Sequence, residues 1–348
     1  MQSHYIRPLG PLPAGTEPAL APEALRVGGI GFLAAEIVRR QGGAVWREIV
    51  AVRELRLRPE PEIAALLARL AAPRGGIGGL SLARPRIMGI VNVTPDSFSD
   101  GGRFLDREAA VAHGLKLAAE GADILDIGGE STRPGAAPVS PEEECRRVIP
   151  VIEALRRQTT ARLSVDTRNS LVMREAVAAG AHLVNDVSAL RHDAASLEVV
   201  ARAGVPVVLM HMLGDDPRTM QVDPRYDDVV LDVTDHLAAR IAACEAAGIP
   251  RRRIVIDPGI GFGKTVQHNL ALIDALSILH GLGTAVLLGA SRKSFIANLM
   301  RRTVGVAPES RLPGSLAAAL AGLAQGVQIV RVHDVAETRQ AMAVVRGQ

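Results

Sequence analysis

From Arg86 onward, short apolar runs alternate with Ala-, Leu-, Glu- and Arg-rich stretches of helical period. That alternation is the signature of βα units that feed a parallel sheet. The runs that predict strands are Ile87–Val93, Ile124–Ile127, Leu163–Val165, His182–Asn185, Pro206–Met210, Arg253–Ile256, Ala285–Gly289 and Gln328–Val332. Their spacing is roughly one βα unit of 30-odd residues. Residues 86–348 are close in number to the roughly 250 of a (β/α)8 TIM barrel, so an α/β fold of that kind is expected. A polar residue closes nearly every run: Asn92, Asp126, Asp166, Asn185 with Asp186, His211, Asp257, Ser291 and His333. Apolar strands that finish in hydrogen-bonding groups describe a closed barrel with a polar mouth. An open doubly wound sheet would gather its ligand groups mainly at one switch point.

Residues 1–85 read differently. They are rich in Pro, Gly, Ala and Arg, with one strand-like stretch (Trp46–Leu57) and one helix-like stretch (Pro61–Leu70). PRGGIGG, Pro73–Gly79, reads as a linker or tight loop. No chemical constellation stands out here, so this is an N-terminal extension of unknown role, by default a small packing or interaction module. Val27–Val38 is apolar but glycine-interrupted and followed by two arginines. It is too short to cross a bilayer, which needs about 20 residues. MQSHYIRPLG lacks the charged and apolar regions of a secretory signal.

Composition narrows the function classes. With 48% hydrophobic residues a sizeable core is available, while 2% aromatics removes the usual platforms for stacking bases. The formal charge is +3 and the basic residues are interspersed with acidic ones, so no nucleic-acid stripe appears. Cys145 and Cys244 lie far apart without metal-ligand spacing, which fits a reduced protein. The expectation is a soluble cytoplasmic protein without a membrane or nucleic-acid partner.

The strand ends carry the chemistry. Asp166, Asn185 and Asp257 finish three strands, where desolvated carboxylates must find donors. A flat heterocycle with an amino-pyrimidinone edge supplies them, and Asn185 adds a donor and an acceptor. The blander reading is that Asp166 and Asp257 cap turns. Two loops, Asn92–Gly102 and Gly128–Ala136, are long and Gly/Pro-rich, and carry Thr94, Asp96, Ser97, Phe98, Thr132 and Arg133. Such loops at a barrel mouth are often lids or binding loops, or else ordinary mobile connections. DPGIGFGKT, Asp257–Thr265, resembles a phosphate-binding P-loop but has Pro258 where the first glycine belongs. GASRKSF, Gly289–Phe295, sets Ser291, Arg292 and Lys293 where a strand hands over to a helix, a position that attracts anions. RVHD, Arg331–Asp334, follows the last strand, and Arg331 lies inside an apolar run where a charge needs a partner. Loops after strands seven and eight are the usual phosphate site of such barrels.

In order along the chain, MGIVNVTPDSFSDGG, GGESTRPGA, SVDTRN, VNDVSA, DPGIGFGKT, GASRKSF and RVHDV resemble the motifs of dihydropteroate synthases. The resemblance covers residues 86 to about 340 and implies a transferase of folate biosynthesis, a sulfonamide target. Such an enzyme condenses p-aminobenzoate with a dihydropterin methyl diphosphate. It implies that Asp166, Asn185, Asp257 and Lys293 hold the pterin. Asn92, Thr132, Arg133, Arg331 and His333 would bind the diphosphate, with Asn92 also touching Mg²⁺. Phe98, Pro134, Phe262, Ser291 and Arg292 would receive p-aminobenzoate. Asp96, Arg133, Asp166, Asp257 and Lys293 form the implied catalytic set, and a homodimer through the last helices is implied as well, with Leu316–Leu323 apolar enough to serve. The competing readings are a pterin-binding methyltransferase-type barrel and a pterin-binding paralogue without turnover. The first has no need for the SRK and RVH elements.

Overall fold

The structure is a computed structural model that describes residues 3–13, 15–93, 102–131, 138–214, 219–300 and 307–346. The extension folds first along the chain. Strands β1 (Ser3–Pro11), β2 (Leu25–Val27), β3 (Ile30–Gln41) and β4 (Ala44–Ala51) make an antiparallel sheet. β3 is central, with β1 on one flank and β2 and β4 on the other. Gly28–Gly29 (φ 57° and 83°) and Gly42–Gly43 (φ 55° and 86°) make the two hairpin turns. A two-residue turn that matches strand twist needs positive φ at both positions, which glycine adopts without steric cost. Helices α1 (Val52–Leu55) and α2 (Pro61–Ala71) close one face, burying Leu55, Ile63 and Leu70 against Ile6, Phe32 and Ile37.

This corrects the sequence reading of the extension in two respects. Three of its strands were not anticipated, because the apolar run of β3 hides the period-two signal behind adjacent buried residues. The stretch Trp46–Leu57 divides into a strand that ends at Ala51 and a helical turn from Val52. Pro73–Gly79 forms a tight loop as expected, in which Ile77 pairs with Leu80 and is buried.

The remaining strands are β5 (Arg86–Asn92), β6 (Ile124–Gly128), β7 (Arg162–Asp166), β8 (Leu183–Asp186), β9 (Val207–Met210), β10 (Ile254–Asp257), β11 (Ala285–Leu288) and β12 (Ile329–Val332). They pair in parallel and close into a barrel, β12 beside β5. The connecting helices are α3 (Gly102–Ala119), α4 (Pro141–Gln158), α5 (Ser170–Ala178), α6 (Ser196–Ala203), α7 (Val229–Ala246), α8 (Val266–Asp274), α9 (Ser294–Leu299) and α10 (Leu312–Ala324). The chain closes with α11 (Val335–Arg346). All eight expected strands are in place, so the TIM barrel stands.

Because side chains alternate across a strand, each barrel strand sends one set outward and one inward. The outward set, such as Leu125, Ile127, Val165, Val184, Ile256 and Val330, packs under the helices in the main core. The inward set forms layers. The lower layer is apolar: Met88, Ile124, Leu183, Val208, Val255, Leu287 and Ile329 meet inside the barrel. Ile77, Leu80 and Leu82 cover that layer from below. Two residues further along the same strands, Asp126, Asn185, Asp257 and Arg331 make a polar upper layer.

The extension docks along α7 and the 3-10 segment Leu276–Leu282. Tyr5 donates to Asp235 at 2.7 Å, Arg40 to Asp232 at 2.6 Å, and Ser277 Oγ to the Pro8 carbonyl at 2.8 Å. Arg74 donates to the His280 carbonyl at 2.9 Å. Cys145 and Cys244 are both free thiols. Among the described residues no helix is long and apolar enough to cross a membrane.

Candidate active site

Arg331 stands at the centre of the upper layer. Its Nε donates to Asp126 Oδ2 at 2.6 Å and its terminal nitrogen to Asp166 Oδ2 at 2.7 Å. These are the partners that a charge within an apolar run required. Asn185 Nδ2 donates to the same Asp126 oxygen at 2.9 Å. Asp126 is 0% exposed, and its Oδ1 accepts no hydrogen bond among the described residues. Two carboxylates therefore share one guanidinium, and Asp257 adds a third from β10, two strands away from Arg331 on β12. Burial pushes Asp166 up to about 7, with Arg331 pulling it down and Asp126 and Glu144 pushing the same way as burial. Burial likewise raises Asp257, against the backbone N–H of Gly259 and the charges of Lys293 and Arg331. Arg331 stays a cation, since the carboxylates around it raise its pKa against the effect of burial.

Asp257 makes the turn cap of the blander reading. Its Oδ1 accepts from Gly259 N–H at 2.7 Å and so caps the turn. Its Oδ2 lies on the barrel side, 3.4 Å from where a β-carbon on Gly289 would stand. Gly259 has φ 68°, and a β-carbon there would fall 1.9 Å from the His211 carbonyl oxygen, so no other residue fits.

The far side of the mouth is cationic and ring-bearing. Lys293 is the N-cap of α9, as the strand-to-helix reading expected. Its Nζ lies 4.1 Å from the centroid of Phe262, a cation–π contact. Ser291 Oγ and His333 Nδ1 are 3.0 Å apart, and the His333 backbone N–H donates to the same hydroxyl at 3.2 Å. Burial and the Arg331 charge push His333 down to about 3, so its ring is neutral. We assign the Ser291 proton to Nδ1, which leaves Nε2–H as a donor. Arg292 adopts φ 57° and is held by Asp334, with Nε to Oδ2 at 3.0 Å. Asn92 ends β5 half-buried. Thr94, Asp96, Ser97, Phe98, Thr132, Arg133 and Pro134 lie outside the described residues.

Among the sequence-predicted residues, Asp166, Asn185 and Arg331 meet directly or through Asp126, Phe262 meets Lys293, and Ser291 meets His333. Asp126 was noticed only as a strand end. Its place two residues beyond the inward Ile124 is the signal that marks it as part of the site. Lys264 and His211 were missed as a pair, and only the rejected P-loop comparison drew attention to the lysine.

A buried row of carboxylates and an asparagine, opposite cations at the mouth of a parallel barrel, suits a flat, donor-rich heterocycle that carries an anionic arm. The sequence matches the pterin binding enzyme family over residues 88–333. It is 49% identical over 268 residues to the dihydropteroate synthase of Escherichia coli (strain K12), covering 77% of this chain and 93% of that one. Among solved structures, Xanthomonas albilineans dihydropteroate synthase with 4-aminobenzoic acid aligns with a TM-score of 0.72 and 57% identity, over 77% of this chain and 94% of that one. The same enzyme in complex with 7,8-dihydropteroate aligns with a TM-score of 0.69 and 54% identity, over 77% and 95%. Within the pterin-binding barrels, this chain belongs to the dihydropteroate synthase family.

Proposed function

We propose that this chain condenses p-aminobenzoate with (7,8-dihydropterin-6-yl)methyl diphosphate, giving 7,8-dihydropteroate and diphosphate. The observation that carries this reading is the upper layer of the barrel, where Asp126, Asp166, Asn185 and Asp257 present acceptors around Arg331. The pterin ring lies along this row with its N–H groups toward Asp166 and Asp257, and Lys293 beside it. The diphosphate lies toward Arg331, His333 Nε2–H and Asn92. The ring of p-aminobenzoate lies against Phe262, its carboxylate toward Ser291 and Arg292.

The aromatic amine is neutral at pH 7, so its lone pair needs no strong base. The harder step is breaking the bond between the pterin methylene and the diphosphate oxygen, whose electron pair leaves with diphosphate. Arg331 and the neutral His333 stabilise the charge that develops on that oxygen. The carboxylates of Asp166 and Asp257 favour the positive charge left on the ring. The amine then forms the new C–N bond and its proton passes to solvent.

Mg²⁺ is implied by the family resemblance. Among the described residues no three His, Cys, Asp or Glu side chains form a metal cage. Mg²⁺ commonly takes one or two protein oxygens and completes its shell with phosphate oxygens and water, a role that Asn92 fits. Bound there, it would neutralise charge on the leaving diphosphate. A homodimer through the last helices is supported by Val344 and Val345, which are exposed on α11.

The direct test supplies the purified protein with the dihydropterin diphosphate and Mg²⁺, with and without p-aminobenzoate. Diphosphate release that depends on p-aminobenzoate and yields dihydropteroate is the expected result. Tight pterin binding without release would instead identify a non-catalytic paralogue.

A pH dependence follows from Asp166. A ring that donates to this carboxylate needs it ionised, and the ionised fraction grows as pH rises through about 7. Affinity for a dihydropterin without its diphosphate should rise about tenfold from pH 6 to pH 8 and then level off. Calorimetry at pH 7 in buffers of different ionisation enthalpy should register proton release. Flat affinity over that range would mean that the ring does not load onto Asp166.

A further inference from the structure

The loop after β10 holds a buried ammonium group that the reaction above leaves without a task. Lys264 is 4% exposed. Its Nζ donates to the Phe262 carbonyl at 2.9 Å and lies 2.9 Å from His211 Nδ1, at the end of β9. Burial and the neighbouring lysine hold His211 far below the ordinary imidazole range, at about 2, so its Nδ1 is an acceptor. The same burial lowers Lys264 to about 7, against the pull of Asp257. Burying an ammonium is costly unless donors and acceptors are well matched. A methionine would fill similar space without that cost, so the amine's value here lies in joining two elements.

The rest of the loop has other ties. Gly261 N–H donates to Asn269 Oδ1 at 2.7 Å, and Tyr226 OH donates to the Gly263 carbonyl at 2.8 Å. Gln221 donates to the Gly261 carbonyl. Between these anchors, the Phe262 carbonyl is bonded by Lys264. The Phe262 ring is 8% exposed and packs on Val187, Met210, Met212 and Met220, with the Lys293 ammonium above it. The backbone at 262 therefore decides where that ring stands relative to Lys293.

We propose that Lys264 is a positioning residue for p-aminobenzoate: by tying the Phe262 carbonyl to His211, it fixes the height and tilt of the Phe262 ring at the amine-binding side of the mouth. The proposal rests on the placement of p-aminobenzoate against Phe262. It predicts a selective kinetic effect, because Asp166, Asn185 and Arg331 are fixed by their own hydrogen bonds on other strands.

The test is a double-mutant cycle of Lys264→Met and Phe262→Ala in the full chain, with KM measured for each substrate at saturation of the other. Lys264→Met is expected to raise KM for p-aminobenzoate about tenfold while KM for the pterin diphosphate changes less than about twofold. In the Phe262→Ala background, Lys264→Met should add little, since the ring it positions is gone. Equal rises in both KM values, or effects that add in the double variant, overturn the proposal. If Phe262→Ala alone leaves KM for p-aminobenzoate unchanged, the placement of the amine is wrong and the proposal falls with it. That outcome is read from the single variant and is distinct from the other two. Should Lys264→Met fail to fold, His211→Leu removes the other end of the tie and goes through the same cycle with the same criteria.

Discussion

Arg331→Met is expected to lower kcat/KM by at least about a hundredfold, or about 2.7 kcal/mol of transition-state stabilisation. It should also cost about 3–5 kcal/mol of folding stability at pH 8, the usual result of removing one member of a buried ion pair. The reason is the sharing seen at the mouth. Arg331 is the cation to which Asp126 and Asp166 both turn, and Asp126 is fully buried. The sign of the pH dependence follows. Asp166 already has a raised folded pKa of about 7, and removing Arg331 removes the main influence that lowers it. An unfolded aspartate titrates near about 3.9, so between that value and 7 the folded variant binds more protons than the unfolded chain. Its stability therefore increases as pH falls through 7 and decreases as pH rises. Urea unfolding of variant and wild type at pH 8 and pH 5.5 should show a penalty smaller by about 1–2 kcal/mol at the lower pH. A penalty equal at both pH values would mean that Arg331 is not what neutralises these carboxylates. Arg331→Lys should recover little, because a single ammonium cannot span the two carboxylates as the guanidinium does.

The barrel was legible in the sequence because its strands are buried on both faces. Such strands appear as unbroken apolar runs such as Ile254–Ile256, and helices of ordinary length separate them. The polar mouth was legible for the same reason, since Asp257 and Asp166 interrupt those runs abruptly. Asp126 was harder to read. It sits within the run Ile124–Ile127, and only the inward parity it shares with Ile124 separates a site residue from a strand terminus. Pairings across strands, such as Arg331 with Asp126 and Asp166, depend on barrel closure between β12 and β5, which no local pattern encodes. The extension was misread because β3 sets buried residues side by side and lacks the clean alternation of a half-buried antiparallel strand. There the informative residues are the glycine pairs at 28–29 and 42–43 rather than the apolar positions. The tie between Lys264 and His211 joins residues 53 positions apart, and each looks ordinary alone.

Deleting residues 1–84 should destabilise the barrel by about 3–6 kcal/mol more than deleting residues 1–71, from the burial of two large aliphatic side chains. Residues 73–84 carry Ile77 and Leu82, which are buried under the inward apolar layer of Met88, Leu183, Val208 and Ile329. Without them that layer opens to water at the lower end of the barrel. The sheet and α2 upstream have a core of their own, built on Ile6, Phe32, Ile37, Leu55 and Ile63. Most of what residues 1–71 bury is therefore buried within themselves, and removing them removes the cost of ordering them as well. What the shorter truncation does lose is the docking of Tyr5, Arg40 and Pro8 on α7 and Ser277. Arg74 would remain on the His280 carbonyl. The family match begins only at residue 88, and the Escherichia coli relative is covered over 93% of its length while 77% of this chain is used. A barrel of this kind thus folds without a sheet like this one, which is why the shorter truncation should stay folded and keep measurable turnover. Urea midpoints of the two truncations and the full chain, measured together with diphosphate release, decide the matter. Equal midpoints for the two truncations would show that Ile77 and Leu82 contribute nothing as a cover, and the extension would then act on the barrel only through its contacts along α7.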